Sequence, residues 1–392
     1  MGEAVINDSF GLLAILVVIP AIIFSLANNR MFSKFFTLVP PLVFAYFIPT
    51  ILSTLNIIPS SASIYTDIKT FILPASLLLM TLAVDIKGIL SLGFKAVVMF
   101  LAATLGVVIG GPIAYYFFKT GLPYDAWKGL AALSGSWIGG GANFIAMGSA
   151  VGASDTLMGM MVVVDVLVAN IWTGVLLYLA GRSEPIDRFM KADNSAIEKL
   201  KDKVVAFQEK ISRVATTKDY MVMVALALSC SWIAYKLGNL LPPVGDIISA
   251  STWKIIIITT IGVIFSFTKL KNYEGAGASK IGTLMLYMLI CVIGANADLR
   301  EVVKYPFLFA TGLTWISIHI LVLIVIMWLI KAPLFFMAVG SQANIGGAAS
   351  APIVASAFHP ALASVGVMLG IAGYILGTYA ALLCAFLLKL VN

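Results

Sequence analysis

Ser134-Gly-Ser-Trp-Ile-Gly-Gly-Gly-Ala-Asn143 and Ser341-Gln-Ala-Asn-Ile-Gly-Gly-Ala-Ala-Ser350 are two copies of one short stretch. A shift of 207 positions lays Ser134 on Ser341, Ile138 on Ile345, Gly139 on Gly346, Gly140 on Gly347 and Ala142 on Ala349, with no gap. The same offset pairs Ser149 with Ser356, Ala150 with Ala357, Gly159 with Gly366 and Met161 with Met368. The 11 identities between positions 131 and 178 are modest for a chain so rich in Ala, Gly and Val. Their clustering in a Ser-x3-Ile-Gly-Gly-x-Ala core carries the argument. A duplicated, glycine-broken, polar-dotted segment in an apolar chain is the sequence pointer to a transporter's substrate site.

Composition sets the solvent. The 392 residues are 61% hydrophobic and 11% charged, whereas soluble chains average about 45–50% apolar and about 25% charged. Charge-free runs approach the roughly 20 helical residues that cross a bilayer. They do not alternate, which excludes a β-barrel. The net charge of +7 raises nucleic acid as a partner, but no separate soluble domain exists to bind it. Nine Lys or Arg against six acids lie between Arg182 and Lys218, and a basic loop of this kind marks the cytoplasmic face. Cys230, Cys291 and Cys384 sit in apolar runs without paired spacing, so they read as packing residues with no disulfide or metal implied. The run from Phe10 reads as a first span and not as a cleaved signal.

Two halves follow. Residues 1–181 form a first repeat with its broken segment at 129–153, and 219–392 form a second with its broken segment at 332–358. The third unit of each half ends alike, as Val84-Asp85-Ile86-Lys87 and Ala297-Asp298-Leu299-Arg300. Between the halves lies a cytoplasmic linker, 182–218. Its stretch Asn194–Val214 spaces Ile197, Leu200, Val204, Val205 and Ile211 near a helical period, describing either an amphipathic helix at the membrane surface or a solvated connector.

Twelve crossings would give parallel repeats, while two segments that dip and return would give inverted ones. A half-segment of about ten residues rises about 15 Å as helix, half of a roughly 30 Å hydrocarbon core. Backbone groups freed at a break survive at that depth only against protein or a cavity. The expectation is therefore an all-α polytopic membrane protein of two inverted repeats. It has about ten transmembrane helices, including one at Phe36–Leu55 and a short one at Phe71–Val84, plus two re-entrant hairpins whose tips meet near the midplane.

The tips supply candidate substrate-binding residues: Ser134, Ser136, Gly139, Gly140 and Asn143 in the first, Ser341, Gln342, Asn344, Gly346, Gly347 and Ser350 in the second. Hydroxyls, amides and carbonyls at a helix break suit Na+, and N–H groups opening the second half-helix suit a carboxylate or phosphate. The competing reading is that Gly and Ser merely allow close helix packing. Asp165 lies deep inside a span, where an acid costs at least about 2.5–3.5 kcal/mol and marks function. It reads as a proton carrier or a Na+ ligand. Asn143, Asn296 and Asn344 complete the candidate coupling-ion set, while Asp85 and Asp298 read as interfacial caps. The lone histidines His319 and His359 read as structural.

Ser341-Gln-Ala-Asn-Ile-Gly-Gly347, Gly370-Ile-Ala-Gly-Tyr-Ile-Leu-Gly-Thr378, Gly139-Gly-Gly-Ala-Asn143 and the Val-Val-Asp165 run resemble the YjcL-like family of integral membrane proteins. Nearly the whole chain is covered. At Ala348-Ala-Ser350 the family pattern more often reads Pro-Ala-Thr. That family is similar to the cation/proton antiporter and anion transporter superfamily, which includes sodium-coupled glutamate, citrate and bile-acid carriers. The resemblance implies inverted repeats, a mobile core domain, a scaffold domain, an elevator-like movement, a homodimer and a bacterial inner membrane.

The functional expectation is a secondary active transporter moving a small organic, anionic solute by alternating access with Na+ or H+ coupling, and no other cofactor. An ion channel or cation/proton exchanger is the alternative. An intramembrane enzyme is disfavoured by the lack of any His-Glu-x2-His or paired nucleophile and base.

Overall fold

The computed structural model describes residues 4–32, 35, 36, 39, 41–82, 84–192, 197, 214–245, 248–297, 306–359 and 362–392. The first half runs α1 (Ser9–Ala27), α2 (Pro41–Thr54), α3 (Ser63–Leu82), α4 (Ile86–Ser91), α5 (Phe94–Phe118), α6 (Ala126–Gly139), α7 (Gly141–Val151) and α8 (Asp155–Ala180). A short α9 (Ser183–Phe189) opens the linker. The second half runs α10 (Thr217–Leu240), α11 (Ala250–Ser266), a 3-10 turn (Lys269–Ala276), α12 (Ala278–Ala295), α13 (Phe307–Leu329), α14 (Leu334–Ile345), α15 (Gly347–Phe358) and α16 (Ala363–Val391). Long helices, a split pair and a last long helix thus recur in the same order.

Among the described residues, eight helices are long and apolar enough to cross a membrane: α1, α3, α5, α8, α10, α12, α13 and α16. A ninth is added if α11 is joined to the 3-10 turn across a 95° bend. The expected ten therefore become eight or nine, because α2 has only 14 residues and α11 has 17. The third unit departs the other way. Its helix starts at Ser63 rather than Phe71 and spans 20 residues, because Asp67 and Lys69 fall in opening turns that an apolar-run reading cuts away. Asp298 and most of the stretch Asn194–Val214, read as a surface helix or a solvated connector, lie outside the described residues.

Packing pairs helices from opposite halves. α5 lies along α13, α6 along α16, and α3 along α12. Contacts between ends give their directions. Lys95, opening α5, donates from Nζ to Lys331 O just past the end of α13. At the other end the rings of Phe118 and Phe307 stand 6.2 Å apart. α5 and α13 are therefore antiparallel. α8 starts where α7 ends, and past its C-terminus Asp187 accepts from Leu334 N at 2.7 Å, at the start of α14. α16 starts after α15 and ends beside the close of α5, where Lys119 Nζ donates to Val391 O at 2.7 Å. α8 and α16 consequently run in opposite senses between the feet of the two broken segments.

One large core joins most of these elements, and a smaller cluster of Ala75, Leu79, Leu82, Met223, Ala227, Ala276 and Ala278 fills the space between α3, α10 and the start of α12. Trp127 is buried, with Lys389 Nζ 5.0 Å from its ring centre.

Candidate functional site

Each expected broken segment is two helices, α6–α7 and α14–α15. The first breaks at Gly140, with φ 75° and ψ −171°, a backbone region open essentially to glycine alone. In the second, Gly347 has φ 59°. Neither Gly140 nor Gly346 offers a side chain to cap the helix that follows, so the opening N–H groups of α7 and α15 have no intrahelical acceptor. The two breaks meet: a Cβ built on Gly347 would stand 3.9 Å from the Gly140 Cα. Gly140, Gly141, Gly346 and Ala348 are part-exposed and Ala349 is exposed, so the junction opens beside the first turn of α15.

α8 runs past both breaks and bonds to each. Asp165 accepts from Ser136 Oγ at 2.5 Å and from Trp137 Nε1 at 2.8 Å, both in the last turn of α6. Two turns further on, Trp172 Nε1 donates to Ser341 Oγ at 2.8 Å, and Thr173 Oγ1 accepts from Gln342 Nε2 at 2.9 Å. Thr173 donates its own proton to Ala169 O at 2.7 Å. Its oxygen must therefore accept from Gln342, which fixes the orientation of that amide. Gln342 Nε2 also donates to Ser350 Oγ at 2.7 Å, while its buried Oε1 has no hydrogen-bond partner. An unsatisfied buried acceptor costs about 1–3 kcal/mol. Gln342 Oε1 is therefore a buried acceptor at the second break that no described protein donor reaches.

Other expected site residues are satisfied inside the protein. Asn143 donates to Gly139 O and Tyr374 O, both at 3.1 Å, and accepts from Thr378 Oγ1 at 2.8 Å. Asn344 repeats the pattern with Gly340 O at 3.0 Å, Phe100 O at 3.2 Å and Thr104 Oγ1 at 2.8 Å. Each Asn ties the arm of one half to a long helix of the other, Asn143 to α16 and Asn344 to α5. Ser134 donates to Ala131 O at 2.6 Å. Ser341 is enclosed by Trp172 and by His319 Nε2 at 2.8 Å. Since His319 Nδ1 faces Ala103 O at 3.0 Å, it carries the proton, and Ser341 donates to Nε2.

Asn296 is not part of this junction. Its Nδ2 donates to Asp155 Oδ2 at 2.8 Å, and Lys69 Nζ meets both oxygens of the same carboxylate at 2.8 and 2.7 Å. Asp155 precedes Asp165 by ten residues, about 15 Å along a helix. Ser136, Asp165, Gln342, Ser350 and the glycine backbone are what the fold brings together. Trp137, Trp172, Thr104 and Thr378 complete the cluster unannounced. Only Trp172 had a readable signal, lying seven residues after Asp165 on the same helical face.

These features define a polytopic helical membrane protein in which two glycine-broken segments touch at their breaks beside Asp165, an acid in the middle of an apolar helix. The chain belongs to the family described as protein of unknown function (DUF819), whose model matches residues 14–391. It is 24% identical over 346 residues to the uncharacterized membrane protein YjcL of Bacillus subtilis (strain 168), covering 84% of this chain and 85% of that one.

Proposed function

We propose that the protein is a secondary active transporter that moves a small organic, anionic solute by alternating access, with Na+ or H+ as the coupling ion. One observation carries this reading: the two breaks touch, and one helix bearing Asp165 grips both. Two uncapped helix starts present N–H groups at the contact, which suits a carboxylate. No Lys or Arg lies within ten residues of either break, the nearest in the first segment being Lys128 in the opening turn of α6, so the anion relies on these dipoles and on the amide of Gln342. Asp165 and the unpartnered Gln342 Oε1 are the groups to hold the coupling cation or proton.

The antiparallel run of α5 against α13 and of α8 against α16 supports inverted repeats with hairpins entering from opposite faces. In this reading the junction belongs to a core domain. α1–α3 and α10–α12 form a scaffold through which two copies pair. The loop 182–218 faces the cytoplasm of a bacterial cell. Thermal unfolding of the purified chain with Na+, K+ and panels of carboxylates and amino acids tests the proposal, because a ligand of the folded state raises the midpoint by mass action. Uptake of the solute so found into proteoliposomes should vanish in Asp165→Asn. Unchanged coupled uptake in that variant at every pH would rule out the assigned role.

A further inference from the structure

A second polar site lies away from the breaks. A cavity of about 230 Å³ opens between the first turns of α3 and α11, the last turns of α10 and the end of α7. Its polar wall is made by Lys69, Lys254, Ser149, Ser231, Tyr235 and Ser251. The position of Lys254 is built in. Its ammonium stands 4.5 Å over the Tyr235 ring. Its stem crosses Gly238, where a Cβ would come within 2.6 Å of Lys254 Cγ. Any larger residue at 238 would push the lysine away.

The charges do not cancel. Lys69 is neutralised by Asp155, with side chains 34% and 22% exposed. Among the described residues no acid lies within ion-pair distance of Lys254, whose neighbour is the Tyr235 ring. Lys254 and Ser251 also sit in the first turns of α11, at the positive end of its dipole. The helix start is fixed against the first hairpin, since Thr252 Oγ1 donates to Ala150 O at 3.2 Å. An ammonium with no acid beside it and several hydroxyls lining one cavity form a recognition set for a compact anionic oxygen group.

We propose that this cavity binds a phosphate or carboxylate group through Lys254 and the surrounding hydroxyls, independently of the junction at Asp165. Two sources carry that chemistry. A soluble anion is one, and an anionic lipid headgroup is the other, since Phe71 and Trp232 stand 57% and 62% exposed on the flanking helices.

The test uses the purified full-length chain. Inorganic phosphate and succinate are titrated in detergent while the unfolding midpoint is followed. In parallel, nanodiscs of phosphatidylcholine are compared with nanodiscs containing phosphatidylglycerol. Stabilisation by the free anions assigns a soluble ligand, and stabilisation by phosphatidylglycerol alone assigns the headgroup. In either case Lys254→Gln should weaken the response at least about tenfold, as expected for losing a charge-assisted contact. Lys254→Arg should retain it, Ser251→Ala should weaken it less, and Asp165→Asn should leave it intact. No response to any probe, or an equal response in Lys254→Gln, would overturn the assignment.

Discussion

Trp137 and Asp165 are locked together across the first break, indole Nε1 to carboxylate Oδ1 at 2.8 Å. The same indole packs on Trp315, ring centres 5.0 Å apart, so Trp137→Phe keeps an aromatic contact while removing the donor and part of a fully buried ring. Loss of one hydrogen bond to a charged group should cost about 1.5–3 kcal/mol, read as a lower unfolding midpoint in detergent. Uptake should fall with it, while Trp137→His, which restores a donor, should recover part of both.

Close approach of α6 to α16 makes a second prediction. A Cβ on Gly373 would lie 2.5 Å from Ile138 O, a backbone atom that cannot step aside. Gly373→Ala should therefore cost about 1–3 kcal/mol or more through overpacking, and should also displace the break two residues further on. Gly174, on α8, has nothing within 4 Å of its Cβ position. Gly174→Ala should stabilise by about 0.5–1 kcal/mol. Melting curves of the two variants should move in opposite directions.

The two asparagines are expected to behave as tethers. Thr378→Val and Thr104→Val each strip the hydroxyl that bonds an amide oxygen, of Asn143 and Asn344 respectively. Each should destabilise by about 1–3 kcal/mol because a buried acceptor loses its donor. A double-mutant cycle of Thr378→Val with Asn143→Ala should return a coupling of about 0.5–3 kcal/mol. Cation-dependent stabilisation should persist in both threonine variants, and its loss would return the asparagines to the ion site.

Asp187 gives a pH-dependent prediction. Burial pushes its carboxyl above the usual range, opposed by the hydrogen bond from Leu334 N. The folded chain then holds this proton more tightly than the unfolded chain does. The resulting stability is present below the ordinary carboxylate pKa of about 3.9 and is lost as pH rises through that value toward the raised one. Asp187→Asn, which keeps an acceptor for Leu334 without the charge, should flatten this dependence and be neutral or stabilising at pH 7. Asp187→Ala should cost about 0.5–2 kcal/mol, as removal of a helix cap does.

Much of this architecture was legible because glycine placement is a local signal. Segments expected at 129–153 and 332–358 appear as 126–151 and 334–358, broken at the doubled glycines that the repeat itself picked out. Asp165 was legible for a similar reason, since a lone acid among Val residues has few structural excuses. The destination of its oxygens was not, nor was the use of Asn143 and Asn344 as tethers. Those depend on Thr104, Thr378 and Tyr374, which lie 231 to 240 residues away in the chain. Asn296 was misplaced by the same limit: depth along its own helix could be inferred, but its pairing with Asp155 could not.

Asp165 and Thr173 sit on one rigid rod and each clasps a different arm of the fold. The arms are therefore yoked. In the transport cycle proposed above, a displacement that exposes the junction on the opposite side would carry rod and arms together as cargo. A staple between α8 and either arm should then leave uptake unchanged, whereas one from the first arm to α11, near Ala150 and Thr252, should abolish it.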